Sequence, residues 1–238
     1  MNKPRISTII IIICILIAGL YAMGEVNYFA SKIHIENNIE APTVVIPSIG
    51  VNEKINTESL NQGVLQDPAG VTPGDGAIVL YGHRTLQGSP FLRLNELKSG
   101  DTILLEWPGV GEIKYAVSDS YIVPASYSAE FSGNKVFLIT CDPIGSTENR
   151  LIIEGDMVEQ NPINEEIIKD NPQESNAFLI SAAFLILGLI LTFIYPKDNR
   201  AYIFITVILV SALLFFFCFS PIPSELIYDK IIFLNGGL

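Results

Sequence analysis

Three uncharged apolar runs interrupt an otherwise mixed pattern of hydrophobic and polar positions: residues 6–23, 177–195 and 201–220, of 18, 19 and 20 residues. Each is long enough to cross a bilayer as a helix, because about 20 helical residues rising 1.5 Å apiece span a hydrocarbon core of roughly 30 Å. Between the first and second runs, short apolar stretches alternate with clusters of Gly, Pro and Asn. These predict strands over 43–46, 51–55, 77–81, 102–107, 112–123, 136–141 and 150–158. Seven short strands parted by turn signals point to a barrel or a sandwich. Two short helices are expected among them: 58–62, capped by Thr57, and 91–97, where Ser89 supplies a capping hydroxyl before Pro90. In the second, Phe91, Leu94 and Leu97 recur at helical spacing and mark the face that joins the core.

The pattern divides the chain into an N-terminal anchor (1–24), a stalk of little periodicity (25–42), a β-rich domain (43–159), a polar linker holding Pro162 and Pro172 (160–176), a transmembrane helical hairpin (177–220) and a tail (221–238). The first run is read as an uncleaved anchor, since a signal-peptide core has 7 to 15 apolar residues; cleavage after Ala22-Met23-Gly24 is the alternative and leaves the topology unchanged. Lys3 and Arg5 precede the first run, and Lys197 and Arg200 lie between the second and third. The positive-inside rule puts both groups on the cytoplasmic face, which two intervening crossings allow. The expected protein is therefore a multi-pass protein of the cell membrane with its β-rich domain and its tail outside.

Charge narrows the partners. Residues 25–176 carry 22 acids and 9 bases, a net charge of −13, and binding to nucleic acid or to anionic headgroups rests on Lys and Arg. Nucleic-acid binding is excluded; the acidity needs no explanation beyond solubility. Of the three cysteines, Cys14 and Cys218 fall inside apolar runs and read as small packing residues, with acylation as the alternative. Cys141 ends the strand predicted over 136–141, with no second thiol outside the runs to pair with.

Three residues outside the membrane runs combine into a candidate site, His83, Cys141 and Arg150, each at the edge of a predicted strand. In a barrel, strand ends distant in sequence can share one mouth. A thiolate is a nucleophile, an imidazole can exchange the protons of thiol and leaving amine, and a guanidinium can stabilise an oxyanion. The pair can rest as thiol and imidazole or as thiolate and imidazolium. Taken singly, each has a plain structural reading: Cys141 as a buried packing thiol, Arg150 as an ion-paired strand residue, His83 as a turn residue after Gly82. Arg84 reads as solvated or ion-paired, Asp142 and Pro143 as shaping the loop that leaves the strand, and His34 as a solvated stalk residue.

The stretch Leu138-Ile139-Thr140-Cys141, followed nine residues later by Arg150-Leu151-Ile152-Ile153, resembles the signature of sortases, membrane-anchored cysteine transpeptidases. Tyr81-Gly82-His83-Arg84 is similar to the Gly-His motif that carries their histidine. The likeness continues through Ile46-Pro47-Ser48-Ile49-Gly50-Val51, through the stretch from Gly70 to Gly76, and through Leu94, Leu97, Gly100 and Asp101, covering about residues 43 to 159. It implies a closed eight-stranded β-barrel and a two-step acyl transfer. Cys141 would attack a peptide bond in a sorting motif near the C-terminus of a secreted protein. His83 would protonate the leaving amine, and Arg150 would hold substrate and oxyanion. The backbone of Thr140 would help position the acyl group. An amine of the envelope or of another protein would then resolve the thioester.

Two alternatives stand beside this reading: a peptidase in which water resolves the thioester, and a membrane-anchored binding barrel without turnover. No cofactor is expected. Some sortases use calcium, yet no ordered oxygen-ligand loop is evident here to carry that site over. The chain departs from the family's familiar arrangements in its C-terminal hairpin, and residues 25–42 lack the Asp-Pro lid sequence of pilin-polymerising members.

Overall fold

A computed structural model describes residues 4–36, 41–128, 130–169, 173–222 and 226–228. The chain forms two compact units, Ile35–Pro172 and a helical unit of Met1–His34 with Gln173–Leu238.

In the first unit, eight strands close into a barrel. They are β1 (Thr43–Ile46), β2 (Val51–Asn56), β3 (Val64–Gln66), β4 (Ile78–Tyr81), β5 (Thr102–Trp107), β6 (Gly111–Pro124), β7 (Lys135–Asp142) and β8 (Asn149–Asn161). Their order round the barrel is β1-β2-β3-β4-β7-β8-β6-β5. The pairs β2–β3 and β4–β7 are parallel and the rest antiparallel. Alternation turns Val44, Ile46, Ile78, Leu80, Ile103, Leu105, Ile113, Tyr115, Val136, Leu138, Leu151 and Ile153 into one core, each large side chain contributing about 1.5–3 kcal/mol by leaving water. The parallel β4–β7 pair differs. Val79, Phe137, Ile139 and Ile152 form a second cluster on the opposite face, so β4 and β7 are apolar on both sides and read as unbroken hydrophobic runs.

The strand that sequence pattern missed is β3. Its three residues are too few to display alternation, yet they bridge β2 and β4 and complete the closed barrel. Neither expected helix forms as drawn. Asn56 Oδ1 accepts from the N–H groups of Glu58 and Ser59, so the chain turns there. The cap is Ser59 rather than Thr57, heading a single 3-10 turn at Leu60–Gln62. Residues 91–97 form turns around a 3-10 helix at Leu94–Glu96. Phe91, Leu94 and Leu97 are buried as their spacing predicts, but Ser89 has a φ of 48°, which does not suit a helix cap.

Part of the expected linker is also structured. Helix α2 (Glu165–Lys169) follows β8, Lys54 Nζ donates to the carbonyl of Ile168, and Asn164 N–H donates to Glu106 Oε2 at 2.9 Å. Glu106 is fully buried and faces Glu112 across the β5–β6 ladder. Burial, and after it the neighbouring Glu112, push the Glu106 carboxyl up to about 7. The folded chain thus holds this proton more tightly than the unfolded one, and the contribution of this group to stability falls as pH rises between the ordinary glutamate range and about 7.

The helical unit contains α1 (Ile6–Glu36), α3 (Asn176–Ile194) and α4 (Arg200–Phe219), three helices long and apolar enough to cross a membrane. Helix α1 continues well past Met23, so the first part of the stretch read as a stalk is helical. Val26, Phe29 and Ala30, at helical spacing, pack with Ala177 and Leu214. The side chain of His34 and most of the tail lie outside the described residues. Close approach is sterically enforced: a Cβ at Gly19 would meet Val210 Cγ1 at 2.6 Å, and one at Gly188 would meet Val207 Cγ1 at 2.4 Å, small-residue contacts of the kind that join membrane helices. At one end Arg5 pairs with Asp198 at 3.1 Å and Thr8 Oγ1 lies 2.8 Å from Tyr195 Oη. At the other, Ile222 N–H donates to Asn27 Oδ1 and Tyr228 Oη to Glu25. Cys14 is exposed rather than packed, whereas Cys218 is half-buried with Sγ 3.3 Å from Ser181 Oγ.

Glu106→Gln keeps an acceptor for Asn164 and removes the titration. Thermal melts of the full chain should show the variant more stable than wild type at about pH 8 and little changed at about pH 5; an equal difference at both pH values contradicts the assignment.

Candidate active site

Parallel pairing sets β4 against β7 with Ile78 opposite Val136 and Tyr81 opposite Ile139. The pairing is carried past the end of β4: Gly82 N–H donates to the carbonyl of Ile139 at 3.1 Å, and Thr140 Oγ1 donates to the carbonyl of Gly82 at 2.8 Å. Extending this register by two residues brings His83 level with Cys141. On the other side of β7, Cys141 is directly opposite Arg150 of β8. Residues 58 and 9 positions from the cysteine thus occupy one level on three adjacent chain segments.

The shared level lies on the outer face of the barrel, not in its mouth. Cys141 has the parity of Ile139 and Phe137 on β7, Arg150 that of Ile152 on β8, and His83 that of Tyr81 and Val79 on β4. These belong to the outer apolar cluster, with Tyr121, Val123 and Phe131 packed against it. Cys141 therefore stands at the end of an apolar strip along β7, and it is half-buried and free rather than fully packed away.

Gly82 is required by a close approach. The Phe91 ring lies over it, and a Cβ there would come within 2.5 Å of Phe91 Cδ2. Phe91 N–H also donates to the carbonyl of His83 at 3.1 Å. The histidine is half-buried, its Nε2 is buried without a hydrogen-bond partner among the described residues, and desolvation lowers its pKa, opposed in part by a hydrogen bond with Gln87. Burial therefore favours the neutral imidazole, with a ring nitrogen uncommitted to any structural bond.

Arg150 Nη1 donates to the carbonyls of Thr147 and Asn149, both at 3.0 Å. It has no carboxylate partner among the described residues, so its charge is oriented by the β7–β8 connection without being neutralised. Thr140 is buried and its hydroxyl faces Gly82, which assigns its side chain to holding the histidine segment.

Sequence reasoning left Arg84 as solvated or ion-paired; it is ion-paired and only 5% exposed. Nη1 donates to the carbonyl of Cys141 at 3.2 Å and to Asp142 Oδ1 at 2.5 Å, Nη2 to Asn95 Oδ1 at 2.7 Å, and Nε to the carbonyl of Leu92 at 3.4 Å. One guanidinium thus joins the histidine segment, the 91–97 turns and the backbone of Cys141. Its only signal in the sequence is an arginine beside the histidine and an aspartate beside the cysteine. Tyr81, at the edge of the strip, donates to Asp67 Oδ2 at 3.1 Å, and burial with this carboxylate pushes its hydroxyl up to about 12.

A nucleophilic thiol, a desolvated neutral imidazole and an unpaired guanidinium can together support attack on a carbonyl, proton exchange and stabilisation of an oxyanion. Comparison with known proteins gives the class. Residues 39–158, half of the chain, match the Sortase domain family model, and the chain belongs to the sortase family. Sortase SrtE1 of Streptomyces coelicolor is 32% identical over an alignment of 98 residues that covers 37% of this chain and 28% of that protein, so the likeness spans well under half of the relative's length. Among solved structures, sortase C1 of Streptococcus agalactiae in complex with MTSET is 26% identical with a TM-score of 0.45, over 50% of this chain and 68% of that one. Sortase E1 of Streptomyces coelicolor with a tripeptide in its active site is 23% identical with a TM-score of 0.44, over 51% and 90%.

Three variants check the electrostatics. Arg84→Met should lower barrel stability by about 3–5 kcal/mol, because it leaves Asp142 half-buried without its cation, whereas Arg93→Met, whose Glu96 partner is exposed, should leave melting nearly unchanged; equal effects contradict the role given to Arg84. His83 is held below its ordinary value of about 6.5, so its own contribution to stability rises with pH across the window just below that value and levels off above it, opposite in sign to that of Glu106. In melts between about pH 5 and about pH 7.5, the stability of wild type relative to His83→Gln should rise with pH; a difference independent of pH contradicts the desolvation.

Proposed function

We propose that the protein is a membrane-anchored sortase that cleaves a sorting motif in secreted proteins and transfers the acyl group to an amine of the envelope or of another protein. The observation that carries this reading is the common level of His83, Cys141 and Arg150 at the end of the apolar strip. Cys141 Sγ attacks the carbonyl carbon of the scissile amide while the thiol proton passes to His83. Arg150 holds the oxyanion. Collapse breaks the C–N bond, His83 hands its proton to the departing amine, and a thioester remains. The incoming amine then attacks the thioester, His83 takes its proton, and the thiol is regenerated as the new amide forms.

In this reading the barrel is extracytoplasmic and the chain crosses the membrane three times. Arg5 and the connection of residues 196–200 meet at one end of the helical unit, which supports a shared cytoplasmic position for the flanking bases. The chemistry uses thiol, imidazole and guanidinium, so no metal is assigned a part, and a chelator should leave the rate unchanged.

The test is cleavage of a secreted protein ending in a short motif, an apolar span and a basic tail. Wild type should release the C-terminal fragment and, with hydroxylamine or a glycine peptide present, yield the amine adduct in place of the free acid. Cys141→Ala should lower the rate on the order of 10⁴-fold or more, and Arg150→Met should lower kcat by roughly 10² to 10³. Only hydrolysed product at saturating amine overturns transfer in favour of a peptidase; cleavage indifferent to Cys141 overturns the enzymatic reading and leaves a binding barrel.

A further inference from the structure

On the outer face of β7, Cys141, Ile139, Phe137 and Lys135 follow one another at every second position. Across the ladder they face Arg150, Ile152, Glu154 and Asp156. The strip is reactive at one end, apolar in the middle and charged at the other. At about 3.3 Å per residue, Phe137 lies roughly 13 Å and Lys135 roughly 20 Å from the level of the thiol. Next to Phe137 is a cavity of about 200 Å³ lined by Tyr121, Tyr127, Glu130, Phe131, Lys135 and Glu154, large enough for one long side chain.

The chemistry of the cavity selects its occupant. Lys135 is already committed, to Glu154 and to Asp156 at 3.1 Å, and the two carboxylates that line the cavity, those of Glu130 and Glu154, outnumber that one ammonium. The Tyr121 hydroxyl resists ionisation because of burial first and then the negative charge of Glu154, with Asp119 among the further causes, which outweighs the opposite pull of Lys135. The aromatic walls present faces that attract cations, and Phe131 is itself fixed by the Phe137 ring, 4.6 Å away between centroids. An anionic side chain would be repelled here, and a neutral one would leave the excess negative charge of the cavity uncompensated.

The direction of the donor follows from the reaction proposed above, on which this inference rests. The acyl part stays bound through both steps while the amine part leaves. The strip extends one way from Cys141, because β7 ends at Asp142, so the segment lying along it is the acyl side. We propose that the cavity between Tyr121, Glu130 and Glu154 is a subsite for a lysine or arginine side chain of the donor, about four to six residues N-terminal to the bond that is cleaved.

The experiment uses the full chain in detergent micelles and a randomised library of N-acetylated dodecapeptides. The mixture is quenched in acid, and peptides linked to Cys141 as thioesters are sequenced by mass spectrometry. Lys and Arg should be enriched roughly fivefold or more at one of positions four to six upstream of the thioester. Glu130→Lys, a change in an exposed loop, and Glu154→Gln should each reduce that enrichment at least severalfold, with melting compared to confirm folding. Thioesters formed without a cationic preference in wild type, or a preference untouched by both variants, overturn the subsite and leave the acyl-transfer reading standing. Absence of any thioester in wild type overturns that reading and the subsite with it.

Discussion

The parallel register of β4 against β7 is the constraint on which the candidate site depends. Two hydrogen bonds carry it beyond the last residue of β4, one from Gly82 N–H to Ile139 and one from the Thr140 hydroxyl to Gly82. With those in place, the register continued by two residues puts His83 level with Cys141. The Phe91 ring closes over Gly82 and excludes any side chain there, and the Arg84 guanidinium ties the same segment to the carbonyl of Cys141. A buried guanidinium must be paired on every side to be tolerated, so Arg84 makes the arrangement cooperative: the 91–97 turns, the histidine segment and the end of β7 are correct together or not at all.

Electrostatics then separates the three groups. Arg84 is neutralised by Asp142 and buried, whereas Arg150 is oriented by two carbonyls and keeps its charge. His83 is desolvated toward the neutral form. Two arginines of the same family motifs thus have opposite environments, and only the one without a carboxylate has charge to spare for a developing anion.

Much of this was legible in the amino-acid sequence, for physical reasons. Alternation exposed the long strands, and the unbroken apolar runs of β4 and β7 reflect burial on both faces. The Cys141 and Arg150 motifs could be read because both lie on contiguous strand ends joined by a short connection. What could not be read had no local signature. The three residues of β3 cannot show a period. The 91–97 segment has helical spacing but becomes turns and 3-10 because Arg84 takes the Leu92 carbonyl and Asn95. The role of Arg84 itself lies in acceptors up to 58 residues away. The extension of α1 has little local signature, because Val26, Phe29 and Ala30 alternate with Glu25, Asn27 and Ser31 and form a stripe only where they meet Ala177 and Leu214.

The central claim is that the β4–β7 register makes neighbours of residues 83 and 141, and a cross-link measures it directly. In the His83→Cys variant, mild oxidation should join positions 83 and 141 in a disulfide, since adjacent strands at one level bring Cα atoms within the roughly 4.4–6.8 Å that a disulfide requires, and peptide mapping of the unreduced protein should recover that linked pair. A folded variant in which position 83 oxidises without ever linking to Cys141 would contradict the register, and with it the site.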